Sequence, residues 1–359
     1  MIKDLDFWKS KKVFLTGHTG FKGSWLSLWL IKLLKTKLTG YALKPPTKPS
    51  LFETINIRSE MNSIIGDVRN LSFLKKSIIE ARPDIIIHMA AQPLVYYSYS
   101  NPVKTYETNV MGTVNLLEAA RNCKTVRAIL IITSDKCYEN KEVDWGYREE
   151  DSMGGFDPYS SSKGCVELVC SAYRNSYFNV NKYEKHGVAL ATARAGNVIG
   201  GGDWAEYRLI PDFIRAIEKN EKFIIRNPKA IRPWQHILDL TNGYLMLCRK
   251  LYEEGKKFSE SFNFGPNNKH FKNVQWIAEY LVKTWGNNTY YEINENYEFF
   301  HEAHFLKLDS TKAYNKLNWK PRLNLSMALD KICAWHKAQI AKEDMNKYCT
   351  TEIKNYIFL

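Results

Sequence analysis

Two short stretches of this 359-residue chain hold the residue types that proton and hydride chemistry requires. Tyr159 and Lys163 are four positions apart in Tyr-Ser-Ser-Ser-Lys, which puts them on one face of a helix. A lysine so placed stabilises the phenolate and makes the tyrosine a base for an alcohol proton. Upstream, Thr133-Ser134 closes an apolar run, and a hydroxyl there can hold the reacting oxygen of a substrate beside the tyrosine. Asp135 and Lys136 follow at once. Simple hydride transfer needs neither, whereas a reaction that also moves protons at neighbouring carbons needs an acid and a base. The competing reading of this pair is a strand-end turn with exposed charges.

Nearer the N-terminus, Gly17, Gly20 and Gly23 are spaced GxxGxxG. Such glycines permit a tight turn and let backbone N–H groups approach a pyrophosphate at a helix N-terminus. The triplet alone is weak. Its flanks, the apolar strand Lys12–Thr16 and the apolar helix pattern Ser24–Leu34, supply the context a dinucleotide site demands. Thr19 and Phe21 complete the loop. His18 and Lys22 stand inside it and are expected to add positive charge near the phosphates, with solvated loop residues as the alternative.

The elements that must position these residues alternate along the chain. Strands are expected at Lys37–Ala42, Ile64–Asp67, Asp84–Met89, Ala128–Thr133 and Val188–Ala193, and helices at Leu71–Ala81, Val103–Ala120 and Ser160–Tyr173. Alternation of this kind predicts an α/β fold with a doubly wound, Rossmann-like parallel sheet. After Asn197 the texture changes to prolines, aromatics and arginines. The expected division is a dinucleotide-binding part over residues 1–196 and a smaller, mainly substrate-binding part over 197–359. Segments near 235–265, with a helix at Ile237–Leu247, return to the first part.

Composition narrows the class. Apolar residues make up 45% and charged residues 25%, ordinary for a globular protein. The net charge of +13 attracts anions, yet it is scattered, and neither a basic stripe nor a nucleic-acid motif is present. Seven cysteines with no CxxC or Cys/His spacing argue against a metal site and for thiols in a reducing compartment. The N-terminus lacks the apolar core of a signal peptide, and no apolar run reaches the ~20 residues of a membrane span. The expectation is a cytoplasmic enzyme.

The glycine spacing and YxxxK suit the short-chain dehydrogenase/reductase superfamily. GHTGFKGSWLSLWL, AAQPLVYYSY, TSDKCYEN, DPYSSSK, ARAGNVIGGGDWAEYRLIPD, NPKAIRPWQHILD and HEAHFLKLD together resemble the CDP-glucose 4,6-dehydratases among its extended members. The resemblance runs from about residue 7 to about residue 337 and leaves out the last stretch of chain.

It implies NAD as cofactor and CDP-glucose as substrate. Gly17, Gly20 and Gly23 would seat the NAD pyrophosphate. Asp67 and Val68 would flank the adenine, Ala90 and Ala91 would line the cofactor channel, and Asn109 would support the helix behind it. Thr133 would also face the cofactor. Ser134, Asp135, Lys136, Tyr159 and Lys163 match the catalytic positions. Asn197 resembles the asparagine at the substrate pyrophosphate, and Gln92, Arg208, Leu209, Arg226, Arg232 and His301 lie in segments that hold the sugar nucleotide. Arginine suits phosphate because its planar fork binds two oxygens.

The implied chemistry is oxidation at C4, loss of water across C5–C6, and hydride return to C6. Lys136 stands where the dTDP-glucose dehydratases have a glutamate, and it acts as a base only when neutral, which requires burial or nearby positive charge. The second strand ends Gly40-Tyr-Ala-Leu-Lys44 without the acid that usually binds the adenine ribose, so the residues alone leave NAD against NADP open. The rival enzyme readings are a nucleotide-sugar epimerase or an NADP-dependent reductase on the same fold, neither of which needs the Asp135–Lys136 pair. A non-catalytic NAD(P)-binding regulator would be marked by a broken tyrosine or lysine, and both are present. The helices at Val103–Ala120 and Ser160–Tyr173 resemble those of a four-helix interface, so a homodimer or homotetramer is expected.

Overall fold

The computed structural model describes residues 5–266, 271–286, 289–294 and 305–359. Seven parallel strands form the central sheet: β1 (Lys12–Thr16), β2 (Lys37–Ala42), β3 (Asn62–Ile65), β4 (Ile85–His88), β5 (Ala128–Ile132), β6 (Ala189–Ala195) and β7 (Ser261–Phe264). Their spatial order is β7-β6-β5-β4-β1-β2-β3. The order reverses between β1 and β4, and ligands of such sheets bind in the crevice outside the carboxyl ends at that point.

β4, β5 and β6 are buried along their whole length, as parallel strands covered on both faces must be. Side chains alternate between two cores. Val13, Leu15, Leu130 and Ile132 join Trp25 and Leu26 of helix α1 (Phe21–Leu28) on one face. Phe14, Ile129 and Ile131 join Leu116 and Leu117 of α2 (Gly112–Arg121) and Val166 of α3 (Pro158–Ser176) on the other. Helix α4 (Ile237–Phe258) covers the first face with Leu238, Leu240 and Tyr244. A third core, including Phe213, Phe223, Ile277 and Leu329, lies among the later helices.

Several elements differ from the sequence expectation. The helix expected at Ser24–Leu34 begins at Phe21 and passes into a π-helical turn at Trp29–Leu33. The one expected at Val103–Ala120 is interrupted by a second π turn, Glu107–Met111, between Pro102–Tyr106 and α2. The helix expected at Ile237–Leu247 continues to Phe258, with a break in helical geometry at Glu254. β7 is not signalled by its four residues, because its central Asn263 is fully buried and satisfied by distant partners. The segment beyond the resemblance forms the helix Met345–Phe358. Its Tyr356 packs edge-on to Trp29 and donates to Asp239 Oδ1 at 2.8 Å. Burial raises the Asp239 carboxyl to about 6. Among the described residues no helix is long and apolar enough to cross a membrane.

Candidate active site

The glycine loop leaves β1 and turns directly into α1. Gly17 has φ +78°, and a Cβ there would lie 2.8 Å from the backbone N of Ala90. A Cβ on Gly23 would lie 2.1 Å from the carbonyl O of Gly17, so the helix and loop touch backbone to backbone. Gly20 caps α1 without any side-chain bond, leaving the first N–H groups of the helix to face a ligand. These are the features a pyrophosphate cradle needs. Thr19 ties the loop to the end of β2 by donating to Leu43 O at 2.9 Å.

The two charged residues of the loop behave otherwise than expected. His18 is fully buried, shares a hydrogen bond of 2.8 Å between Nε2 and Ser63 Oγ, and packs edge-on to Phe52. Burial and Arg58 lower its pKa to about 4, so it brings no charge to the loop. Lys22 turns into the cleft. Burial, with Lys163 and Arg208 nearby, lowers it to about 7, against the opposing pull of Asp135 and Asp203.

The residues expected at the adenine, Asp67 and Val68, follow β3. Asp67 pairs with Arg69 at 2.7 Å, and that guanidinium holds the carboxyl below its ordinary range. Val68 is buried under α2, where a Cβ on Gly112 would lie 2.7 Å from its methyl. After β4, the N–H groups of Met89 and Ala90 donate to Thr16 Oγ1, each at 3.1 Å, and Ala91 follows, partly exposed. Gln92, expected to meet the substrate, is engaged within its own loop. Its amide donates to Leu94 O and Thr105 Oγ1 and accepts from Leu94 N at 2.6 Å, bracing its own loop, whose backbone groups need partners. Pro93, Leu94, Val95 and Tyr96 form the cleft wall there instead.

Asn109 is the hub behind the helix. It sits in the π turn, accepts from Gln92 N at 2.8 Å, and donates to Gln92 O at 3.1 Å and Ser162 Oγ at 2.8 Å. Ser162 in turn donates to Tyr159 O at 2.6 Å. The loop after β4 and the start of α3 are thus fixed to each other through one side chain.

Just beyond β5, Asp135–Cys137 form a 3-10 turn capped by Ser134. Ser134 Oγ accepts from Lys136 N at 3.2 Å and donates to Asp135 Oδ1 at 2.9 Å. Asp135 is 3% exposed, and its Oδ2 has no hydrogen-bond partner among the described residues. Burial raises its pKa, opposed by Lys136, Ser134 and Arg232. Burial thus disfavours its charged form relative to water, and one carboxyl oxygen is left without a partner among the described residues. Tyr159 is pushed up to about 12 by burial, although hydrogen bonding with Ser134 pulls it back. Lys163 Nζ lies 6.0 Å from the Tyr159 ring centre and donates to Ile132 O at 3.3 Å. Burial lowers it to about 8 against the raising influence of Glu167. Thr133 Oγ1 donates to Glu167, directly behind.

Asn197, Arg208, Leu209, Arg226 and Arg232 line the same cleft of about 260 Å³ with Ser134, Asp135, Lys136 and Tyr159. Arg208 pairs with Asp203 at 2.9 Å and Arg226 with Asp212 at 2.5 Å. His301 lies outside the described residues. Sequence reasoning missed the cleft mouth. Tyr207, with φ +59° and 51% exposure, stacks on Tyr96 with ring centres 5.0 Å apart. The tyrosine-rich run Val95–Ser100 was the available signal. No group of three or more His, Cys, Asp or Glu gathers to hold a metal among the described residues.

Residues 14–332 match the family model described as GDP-mannose 4,6 dehydratase. The chain belongs to that dehydratase family. Within its wider relations, the curated CDP-glucose 4,6-dehydratase of Salmonella typhimurium is 54% identical over 355 residues, 99% of this chain and 98% of that one. The dTDP-D-glucose 4,6-dehydratase of Homo sapiens is 24% identical, covering 91% of this chain and 90% of that one. A dTDP-glucose 4,6-dehydratase structure from Bacillus anthracis, solved with NAD, superposes with a TM-score of 0.76 at 20% identity over 94% of this chain and all of that one. The UDP-glucose 4-epimerase of Thermotoga maritima, solved with UDP-glucose, gives 0.78 at 19% identity over 91% of this chain and 99% of that one. These structures share the dehydratase family's fold.

Proposed function

We propose that this chain converts CDP-glucose to CDP-4-keto-6-deoxyglucose and water with NAD held in the glycine loop. The observation that carries the reading is the buried Asp135 carboxyl, its pKa raised by burial, with an unpartnered oxygen in the cleft wall it shares with Ser134 and Tyr159. An epimerase or simple reductase has no use for such an acid.

The loop of Gly17, Gly20 and Gly23 fits a pyrophosphate, since side chains there would fill the cradle. NAD, when bound, supplies reversible hydride storage, so the sugar can be oxidised at C4 and reduced at C6 without an outside oxidant. Lys163 and the cofactor's positive charge favour the Tyr159 phenolate, which otherwise titrates at about 12. Tyr159 takes the proton of the 4-hydroxyl, steadied by Ser134. The resulting ketone acidifies the C5 proton, and the neutral form of the Lys136 amine, on the same turn, is its acceptor. Asp135 gives its proton to the departing 6-hydroxyl, which leaves as water. Asn197, Arg208, Arg226 and Arg232 hold the diphosphate and nucleotide.

The curated relative from Salmonella typhimurium supports cytidine as the base. NAD is favoured by the dehydratase from Bacillus anthracis that carries it on the same fold. Seven unpaired cysteines support a reducing, cytoplasmic setting. Val103, Met111 and Leu168 stand exposed on the helices Pro102–Tyr106 and α3 and the turn between Pro102–Tyr106 and α2, which supports a homodimer packed through these elements. The test of function is incubation with CDP-glucose in deuterated water and mass analysis of the sugar. Loss of the 6-oxygen with deuterium at C5 is expected. A sugar that keeps its 6-oxygen would refute the reading.

A further inference from the structure

The turn bearing Asp135 and Lys136 ends at Tyr138, which is buried and does not line the cleft. Its phenol OH donates to Asn263 Oδ1 of β7 at 2.7 Å and accepts from Arg194 Nη1 of β6 at 2.8 Å. Arg194 also donates to Glu149 O at 2.9 Å and, through Nη2, to Glu167 Oε2 on α3 at 2.9 Å. Asn263 is occupied as well: its N–H donates to Glu149 Oε1 at 2.7 Å, and its amide to Tyr147 O at 2.8 Å and Asp309 O at 3.1 Å. One hydroxyl therefore sits where β6, β7, α3 and the catalytic turn converge, and each of its partners is held by another element.

Tyr159 and Lys163 are fixed by other means. Asn109 and Ser162 anchor the Tyr159 carbonyl, and Lys163 donates to Ile132 O. Ser134 stands two residues beyond β5, next to Thr133, whose N–H donates to Ala193 O of β6 at 2.9 Å. Asp135 and Lys136 lie beyond the strand, on a turn whose far end is pinned by Tyr138, with Tyr138 N bonded back to Asp135 O at 3.4 Å.

We infer that Tyr138, through Arg194 and Asn263, is a positioning residue whose effect falls mainly on the elimination step, setting where the Asp135 carboxyl and Lys136 amine stand relative to the sugar. The inference rests on the dehydratase reading above. It distinguishes an oxidation half on α3 and β5 from an elimination half on a turn clamped from behind, the two joined by the Ser134–Asp135 hydrogen bond and by Glu167. A displacement of about 1 Å in a catalytic group costs up to about 100-fold in rate.

The test is Tyr138→Phe, which deletes the hydroxyl and keeps the ring. The NAD-loaded variant and the unsubstituted enzyme are mixed with CDP-glucose, quenched over milliseconds to seconds, and the sugars weighed by mass spectrometry. Oxidation at C4 is expected within about threefold of the unsubstituted rate and elimination slowed by about 10- to 100-fold, so that a 4-keto sugar still carrying its 6-oxygen accumulates. Elimination at the unsubstituted rate would overturn the inference. So would equal slowing of both steps, or loss of both through misfolding, since either makes Tyr138 a general structural residue. Failure of the dehydratase reading would show separately, as an unsubstituted enzyme that leaves the 6-oxygen in place.

Discussion

Asp135→Asn keeps the shape of the proposed acid and removes its transferable proton. The amide oxygen can still accept from Ser134, as Asp135 Oδ1 does at 2.9 Å, so the turn should keep its form. The amide nitrogen takes the place of Oδ2, the oxygen that has no partner among the described residues. Oxidation at C4, which uses Tyr159, Ser134 and Lys163, is expected to continue. Positioned general acids contribute about 10²–10⁴ in rate, or about 3–5 kcal/mol of barrier. The lower end is expected here, near 10²-fold, because Lys22 lines the same cleft with a pKa of about 7 and can supply a proton in part. Rapid quench with CDP-glucose and mass analysis should show a 4-keto sugar with its 6-oxygen retained. The pH dependence gives a second check. The pKa of Asp135 is raised by burial, so the native state favours the protonated form. The stability this gives is present at low pH and is lost as pH rises through the raised value, where a charge must be buried. The asparagine variant lacks that loss and should melt higher than the unsubstituted protein at alkaline pH. Full-speed loss of water in Asp135→Asn would remove Asp135 from the elimination and leave only the oxidation half of the proposal.

Tyr159→Phe should abolish turnover while holding CDP-glucose within about tenfold of the unsubstituted dissociation constant, since the ring makes most of the contact; calorimetric titration checks binding, and retained turnover would exclude Tyr159 as the base. Gly23→Ala should abolish NAD binding, because its Cβ would lie 2.1 Å from Gly17 O and spread the loop; fluorescence titration with NAD reads this directly, and unaltered affinity would place the pyrophosphate elsewhere. Leu168→Glu, at a side chain 61% exposed on α3, should convert the expected dimer to a monomer in sedimentation velocity, and an unchanged assembly would put the interface on another face.

What could be read from the sequence is what local geometry determines. The i, i+4 spacing of Tyr159 and Lys163 and the backbone demands of Gly17 and Gly23 are properties of a few neighbouring residues, and the structure has them as expected. The strand positions followed from short apolar runs for the same reason. Residues whose role depends on distant partners were not readable. Asn263 is bonded to Tyr138 across 125 positions and to Tyr147 across 116, so nothing within Ser261–Phe264 marks it as the centre of a buried strand. His18 looks like a charge in a phosphate loop until Ser63 and Phe52 close over it. Gln92 looks like a substrate contact until Thr105 and Leu94 occupy its amide. Lys22 is the reverse case: a loop lysine whose value to the site comes from Asp135 and Lys163, both brought to it by the fold.

The π turn at Glu107–Met111 contains one residue more than a regular helix would need in the same length. Each residue of an α-helix turns the chain by about 100°, so the extra one shifts the faces before it relative to those after it. Thr105, which meets Gln92 from the first segment, and Asn109 and Thr113, which meet Gln92, Ser162 and His88 from the turn and beyond, share one inward face across it. The length of this helix therefore matters to the site as much as the identity of its side chains. A single-codon deletion between 107 and 111 would leave the composition and apolar character almost untouched. It would still rotate the Asn109 hub off its partners. A point substitution on the outer face of the same turn, at Glu107, leaves the phase intact and should be accepted far more freely.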